Sequence, residues 1–237
     1  MLSNKAQRDR KKVFFLGQNK TGTTSVDHYA VSLGLKSRHS TDWVWKLAKK
    51  DFFDKPVGEF DVYLDGSTHV LSCEHLLHII SSCDPHFIVQ YRELKSWLVS
   101  RWNHVERFNN EVGQENRRKN DKESVKYWFY ERQYQNSKMM ALQSWIPNRV
   151  DFVDSANLGR EVYKIFAKVF DLNSASSEVE VSRNSFSEGF GYISNPSEVE
   201  LAIEELQINP EQFSDPVIDC PLSSQEVEKI VMSRVKL

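Results

Sequence analysis

Residues 13–25 read VFFLGQNKTGTTS, and this stretch decides the fold. Val13, Phe14, Phe15 and Leu16 form an unbroken apolar run ending at Gly17, as expected of a strand buried on both faces. A Gly/Thr/Ser segment follows, which is loop chemistry. Val26, Tyr29, Ala30 and Leu33 then recur at helical spacing, and Gly34 closes the pattern. Strand, glycine-bounded loop and helix in that order predict the start of a parallel βαβ arrangement.

The rest of the chain continues the alternation. FDVYL (60–64) reads as a second strand ending at Asp65-Gly66, and 70–82 carries a helical stripe of Leu71, His75, Leu76, Ile79 and Ile80. Asp84-Pro85 breaks it. FIVQY (87–91) reads as a third strand, and 93–105 as a helix with Leu94, Trp97, Leu98 and Arg101 on one face. Residues 109–121 are polar and predict an exposed loop. A long aromatic-rich helix is expected over 123–145, stopped by Pro147. VDFV (150–153) is a fourth strand and 158–170 its helix. Parallel sheets bind ligands at the carboxyl ends of their strands, so residues following Leu16, Leu64, Tyr91 and Val153 are the first candidates.

A glycine-bounded turn between strand and helix aims successive backbone N–H groups at one point, and the helix N-terminus adds partial positive charge. Gly17, Gly22, Thr23, Thr24 and Ser25 therefore form a candidate anion cradle, the last three with hydroxyl donors. Gly17 and Gly22 have the separation of an ATP or GTP phosphate loop, G-x-x-x-x-G-K-[ST]. Thr23 occupies the lysine position, and the lysine is Lys20, before the second glycine. Thr24 can stand where such a loop places a Mg²⁺-ligating hydroxyl, and Asp65 is the nearest match to the acid of the partner strand.

KTGTTS after an apolar strand resembles the 5′-phosphosulfate loop of sulfotransferases that use 3′-phosphoadenosine 5′-phosphosulfate (PAPS), with the pattern Lys-[Ser/Thr/Cys/Ala]-Gly-Thr-[Thr/Ser]. The resemblance implies that Lys20, Thr21, Gly22, Thr23, Thr24 and Ser25 bind the donor, Lys20 also stabilising charge on the bridging oxygen. It further implies a 3′-phosphate clamp of an arginine at the end of the third strand and a serine eight residues on; here Arg92 and Ser100 hold those positions. Independently of the resemblance, a strand-end guanidinium offers forked donors to a phosphate. Arg183 in VSRNSFSEGFG matches the family's further phosphate loop, which lacks its usual Arg-Lys-Gly triplet here.

An acceptor hydroxyl needs a base near the loop. Ser67-Thr68-His69 resembles the segment that carries the catalytic histidine in cytosolic members of the family, with Ser67 replacing its lysine. A histidine accepts protons near neutrality. Asp65 is the rival base, and His39 and Asp42 in HSTDW remain candidates. No metal is required by the resemblance. The expected donor is PAPS, the expected product adenosine 3′,5′-bisphosphate, and the acceptor a small-molecule or carbohydrate hydroxyl or amine. Tyr127, Trp128, Tyr130 and Tyr134 are candidates to border the acceptor site, and Arg117-Arg118-Lys119 to attract an acidic one. The other two readings are a nucleotide-dependent phosphotransferase with an atypical loop and a non-catalytic nucleotide-binding protein.

The chain has 237 residues, 40% hydrophobic and 27% charged, enough for a substantial core. Residues 176–237 carry 12 acidic against 4 basic side chains, a net of −8, so in a chain of net −2 the first 175 carry +6. Any anionic ligand then belongs to the basic part. The expected architecture is a P-loop NTPase-like α/β domain over 1–175, a three-layer α/β/α sandwich with a mainly parallel sheet. An acidic C-terminal extension over 176–237 packs on or flanks it, with helices at 197–206 and 224–235. Three cysteines without C-x-x-C spacing predict neither a disulfide scaffold nor a zinc site. No apolar run approaches the ~18 residues of a membrane span. With a polar, basic opening at residues 1–12, a cytoplasmic protein is expected, with no nucleic acid among its partners.

Overall fold

The structure is a computed structural model that describes residues 11–17, 22–48, 59–67, 71–114, 117–172 and 193–209. Five strands form one all-parallel sheet: β1 (Lys11–Gly17), β2 (Ser37–His39), β3 (Val62–Ser67), β4 (Asp84–Tyr91) and β5 (Val150–Asp154), in the spatial order β2-β3-β1-β4-β5. The helices are α1 (Thr23–Ser32), α2 (Asp42–Ala48), α3 (Cys73–Ser82), α4 (Leu94–Glu111), α5 (Lys122–Trp145), α6 (Leu158–Phe170) and α7 (Ser197–Glu205). The chain clusters into two compact units, one of residues 1–91 with 138–182 and one of 92–137 with 183–237.

The first unit holds the sheet. β1 lies at its centre because its residues are apolar on both sides: Phe14 and Leu16 join Trp43, Tyr63, Leu76, Ile79, Phe87 and Leu142 on one face, while Val13 and Phe15 join Val26, Tyr29, Ile88, Val162 and Phe166 on the other. Helices α2, α3 and the end of α5 cover the first face, and α1 and α6 the second. This is the three-layer α/β/α sandwich expected. The connection from β1 to β2 runs one way across the sheet and places α1 on one face. The moves β2 to β3 and β3 to β4 run the other way and place α2 and α3 on the opposite face, as a single crossover hand requires. Adjacent strands β1 and β3 therefore send their chains to opposite faces, the arrangement whose carboxyl ends form the ligand crevice in open parallel sheets.

Two elements depart from the sequence pattern. Ser37–His39 and Asp42–Ala48 add a fifth strand, polar throughout, and a short helix whose Trp43, Val44 and Leu47 recur at helical spacing; β2 is three residues long and pairs with β3. Pro85, which marks a break in the sequence, lies inside β4. The β5 pairing begins only at Phe87, so the proline occupies a stretch paired on one flank alone.

The second unit is helical. Its core is Leu94, Trp97, Leu98, Trp102 and Val105 of α4, Val125, Trp128 and Phe129 of α5, and Val199, Ala202 and Ile203 of α7. The acidic extension thus supplies one described helix to this core, tied by Glu205 to Lys122 and Lys126. The helix expected at 224–235 lies outside the described residues. Among the described residues no helix is long and apolar enough to cross a membrane.

Candidate functional site

The loop begins where β1 presses against β4. Gly17 has φ 154°, and a Cβ there would stand 2.6 Å from the Gln90 carbonyl oxygen, so only glycine fits. The loop ends at Gly22, which caps α1 in the left-handed region (φ 101°). Gly22 offers no side chain to cap this N-terminus and the first turn holds no acidic residue, while Ser25 N–H and Val26 N–H donate to the Gly22 carbonyl at 3.1 and 3.5 Å. A helix start with a glycine cap leaves its first N–H groups suited to an anion. Thr24 is exposed and Ser25 half-buried beside it. Lys20 and Thr21 lie outside the described residues.

The crevice also holds a carboxylate. The β1–β3 register slips between Phe14↔Tyr63 and Leu16↔Gly66, so Leu64 and Asp65 both lie against Phe15. This bulge puts Asp65 at φ 55° and re-aims its side chain. Gly66 is required next: a Cβ there would meet the Phe15 carbonyl oxygen at 2.5 Å. The Trp43 indole N–H secures the bulge by donating to the Leu64 carbonyl at 2.7 Å. Asp65 Oδ1 accepts from the Thr23 hydroxyl at 2.6 Å, and Asp65 Oδ2 stands 2.9 Å from His39 Nε2. Thr23 Oγ1 is also 3.3 Å from His39 Nε2. Three residues from the ends of β1's loop, β2 and β3 thus form one hydrogen-bonded cluster. Asp65 holds His39 with Nε2 as the donor, leaving Nδ1 as the basic nitrogen.

The candidate bases fare differently. His39 and Asp65, weighed in the sequence as rivals, are partners. Asp42 is engaged through both oxygens by the Arg38 guanidinium, Nε to Oδ1 at 3.1 Å and the terminal nitrogen to Oδ2. His69 and Arg183 lie outside the described residues.

Arg92 and Ser100 belong to the second unit. Arg92 directly follows β4, and its carbonyl accepts from the Arg132 guanidinium at 2.8 Å. Glu93 caps α4, its carboxylate accepting from Lys95 N–H and Ser96 N–H at 2.8 and 2.6 Å. Burial alone would raise its pKa, but the Ser96 and Lys95 donors and the Arg132 charge hold it below the ordinary carboxylate value. Ser100 is half-buried on α4. Of the aromatic residues, Trp43, Trp97, Trp102 and Trp128 are core, and Tyr127 and Tyr130 pack against it. In the basic cluster, Arg118 lies over the Phe108 ring at 4.2 Å.

One feature escapes the sequence reading. Glu131, Arg132, Gln133, Gln135 and Asn136 of α5 are all buried. The signal lies in the pattern: five polar residues over six positions leave that stretch with no apolar stripe, unlike α6, whose apolar face is continuous. No family model matches this chain, and no curated protein matches it at a significant level.

Proposed function

We propose that the protein is a cytoplasmic PAPS-dependent sulfotransferase acting on a hydroxyl or amine of a small-molecule or carbohydrate acceptor. One observation carries the reading: at the carboxyl ends of β1 and β3, the start of α1, which follows left-handed Gly22 and has no acidic residue in its first turn, offers the Thr23 hydroxyl to a carboxylate that also pairs with His39. The cradle suits the 5′-phosphosulfate of the donor, bound by the α1 N–H groups, Thr23, Thr24, Ser25 and Lys20. Arg92 and Ser100 take the 3′-phosphate by the resemblance, with Arg183 as a further ligand.

For a hydroxyl acceptor, its oxygen attacks sulfur while the bond from sulfur to the 5′-phosphate oxygen breaks. Adenosine 3′,5′-bisphosphate leaves with the bonding pair, and Lys20 balances the charge growing on that oxygen. The acceptor's proton passes to His39 Nδ1, and Asp65 stabilises the imidazolium. His69 is the competing base. The lower charge of the sulfonate makes positioning and electrostatics sufficient without a metal.

The test is thermal stability with adenosine 3′,5′-bisphosphate and, separately, with ATP–Mg²⁺. The bisphosphate alone should raise the midpoint, by the equivalent of about 2.7 kcal/mol at a hundredfold excess over Kd. Lys20→Ala should lower turnover far more than bisphosphate affinity, because the bisphosphate lacks the sulfonate. A second reading has one specific support: Asp65 on the strand beside β1 reaches the first hydroxyl of α1, as a cation-holding acid of a phosphotransferase would. Stabilisation by ATP–Mg²⁺ and not by the bisphosphate would select it. Indifference to both would select the non-catalytic reading.

A further inference from the structure

We infer that Arg132 is a positioning residue for the donor's 3′-phosphate, acting through the backbone of Arg92; the inference rests on the reading that Arg92 binds that phosphate. Arg132 has 0% of its surface exposed. Its guanidinium donates to the Arg92 carbonyl at 2.8 Å and lies over the Trp97 ring, 5.5 Å from the centroid. It also faces the charge of Glu93, whose carboxylate fixes the first turn of α4. One buried cation therefore grips both residues of the turn that joins β4 to α4.

Stability alone does not explain this placement. Burying a guanidinium is costly, and an apolar side chain of similar volume at such a place is commonly neutral or better. The cost is visible in its acidity, pushed down to about 10 by burial despite the opposing charge of Glu93. The structure around it is shared with a second cation: Arg101 lies over the Trp97 and Trp128 rings at 5.3 and 5.1 Å and pairs with Glu131 at 2.8 Å. Arg132 spends a donor on a main-chain carbonyl. A hydrogen bond to that carbonyl sets the peptide plane after Arg92 and hence the direction in which the Arg92 side chain leaves the strand. A forked phosphate contact tolerates little error in that direction.

The experiment measures, by calorimetry on the full chain, the affinity for adenosine 3′,5′-bisphosphate and for adenosine 5′-monophosphate, which lacks the 3′-phosphate. The variants are Arg92→Ala, Arg132→Gln, Arg132→Lys and the double Arg92→Ala/Arg132→Gln. Arg132→Gln should weaken the bisphosphate about tenfold and leave the monophosphate unchanged. On the Arg92→Ala background it should add almost nothing. Arg132→Lys, which keeps charge and a donor, should recover part of the loss; if Arg132→Gln fails to fold, the same selective but smaller loss in Arg132→Lys decides the matter. Equal weakening of both nucleotides, no weakening, or a full additive loss on the Arg92→Ala background would overturn the inference while sparing the functional reading. A wild-type chain with no preference for the bisphosphate would instead overturn the functional reading.

Discussion

The sheet carries a histidine–aspartate pair at each end, and the two are chemically alike but differently placed. At the amino edge, His86 of β4 stands 2.7 Å from Asp151 of β5. Around it are Lys12 with Asp61 at 3.7 Å, Lys11 with Asp171 at 2.8 Å, and Arg149 with Asp84. The three lysine– and arginine–carboxylate pairs of that edge neutralise one another locally. At the carboxyl edge, His39 and Asp65 stand at 2.9 Å, but the third member is a hydroxyl at the start of a helix. There the chains leave β1 and β3 for opposite faces, a glycine caps the helix N-terminus, and a bulge bends the backbone to aim the carboxylate. A histidine–carboxylate pair is therefore no site by itself. What makes one pair a candidate catalyst is the topology that gives it a crevice and the main-chain donors that share it.

Exchanging the pairs' chemistry should separate them most sharply. His39→Gln should lower turnover by about 10²–10⁴, the range of a lost general base, with little change in thermal midpoint. His86→Gln should leave turnover within about twofold. The measurement is transfer from labelled donor across a panel of acceptors. If His69→Ala abolishes turnover and His39→Gln does not, the proton goes elsewhere and the carboxyl-edge pair is structural too.

The next effect is in the backbone. Gly17→Ala places a Cβ 2.6 Å from the Gln90 carbonyl oxygen and forces an alanine into φ 154°. About 2–4 kcal/mol of stability should be lost. Gly34→Ala, at φ 75° with open space around its Cβ, should cost about 1 kcal/mol. Urea unfolding of both variants measures the contrast; equal losses would mean that the close approach of β1 to β4 does not constrain the loop.

The strand, loop and helix that bound the candidate cradle were legible because three local signals agree over residues 13–34: an apolar strand, paired glycines and a helical stripe. The Leu158–Phe170 helix was equally plain from its amphipathic period. β2 was not, because Ser37, Arg38 and His39 are polar and owe their strand conformation to pairing with β3 alone. Its absence from the reading hid the meeting of His39 with Asp65, whose side chains are 26 positions apart in a chain where each alone looks ordinary. The strand through Asp65 was cut short at Leu64 because Asp-Gly reads as a turn; the bulge that accommodates both residues depends on the register with β1. The buried row on α5 was missed for a related reason: polar residues on a helix read as solvent-facing until tertiary packing says otherwise.

The smallest expected effect concerns the amino edge and pH. Burial pushes the His86 pKa below the ordinary imidazole value of about 6.5, against the opposing pull of its bond to Asp151. The unfolded chain therefore holds the proton in a pH range where the folded one does not. Stability from this group is fully present above about pH 6.5 and is lost as the pH falls through the unfolded value toward the depressed folded one. The slope contributed by one imidazole is at most about 1.4 kcal/mol per pH unit. His78 shifts the same way through burial, so the wild-type slope alone identifies neither residue. His86→Gln should flatten part of the acid-side decline in urea midpoints between about pH 7 and pH 5. Asp151→Asn should steepen it, since removing the carboxylate lowers the folded value further. If instead His86→Gln leaves the slope unchanged, the amino-edge pair contributes no proton linkage, and the difference between the two edges rests on topology alone.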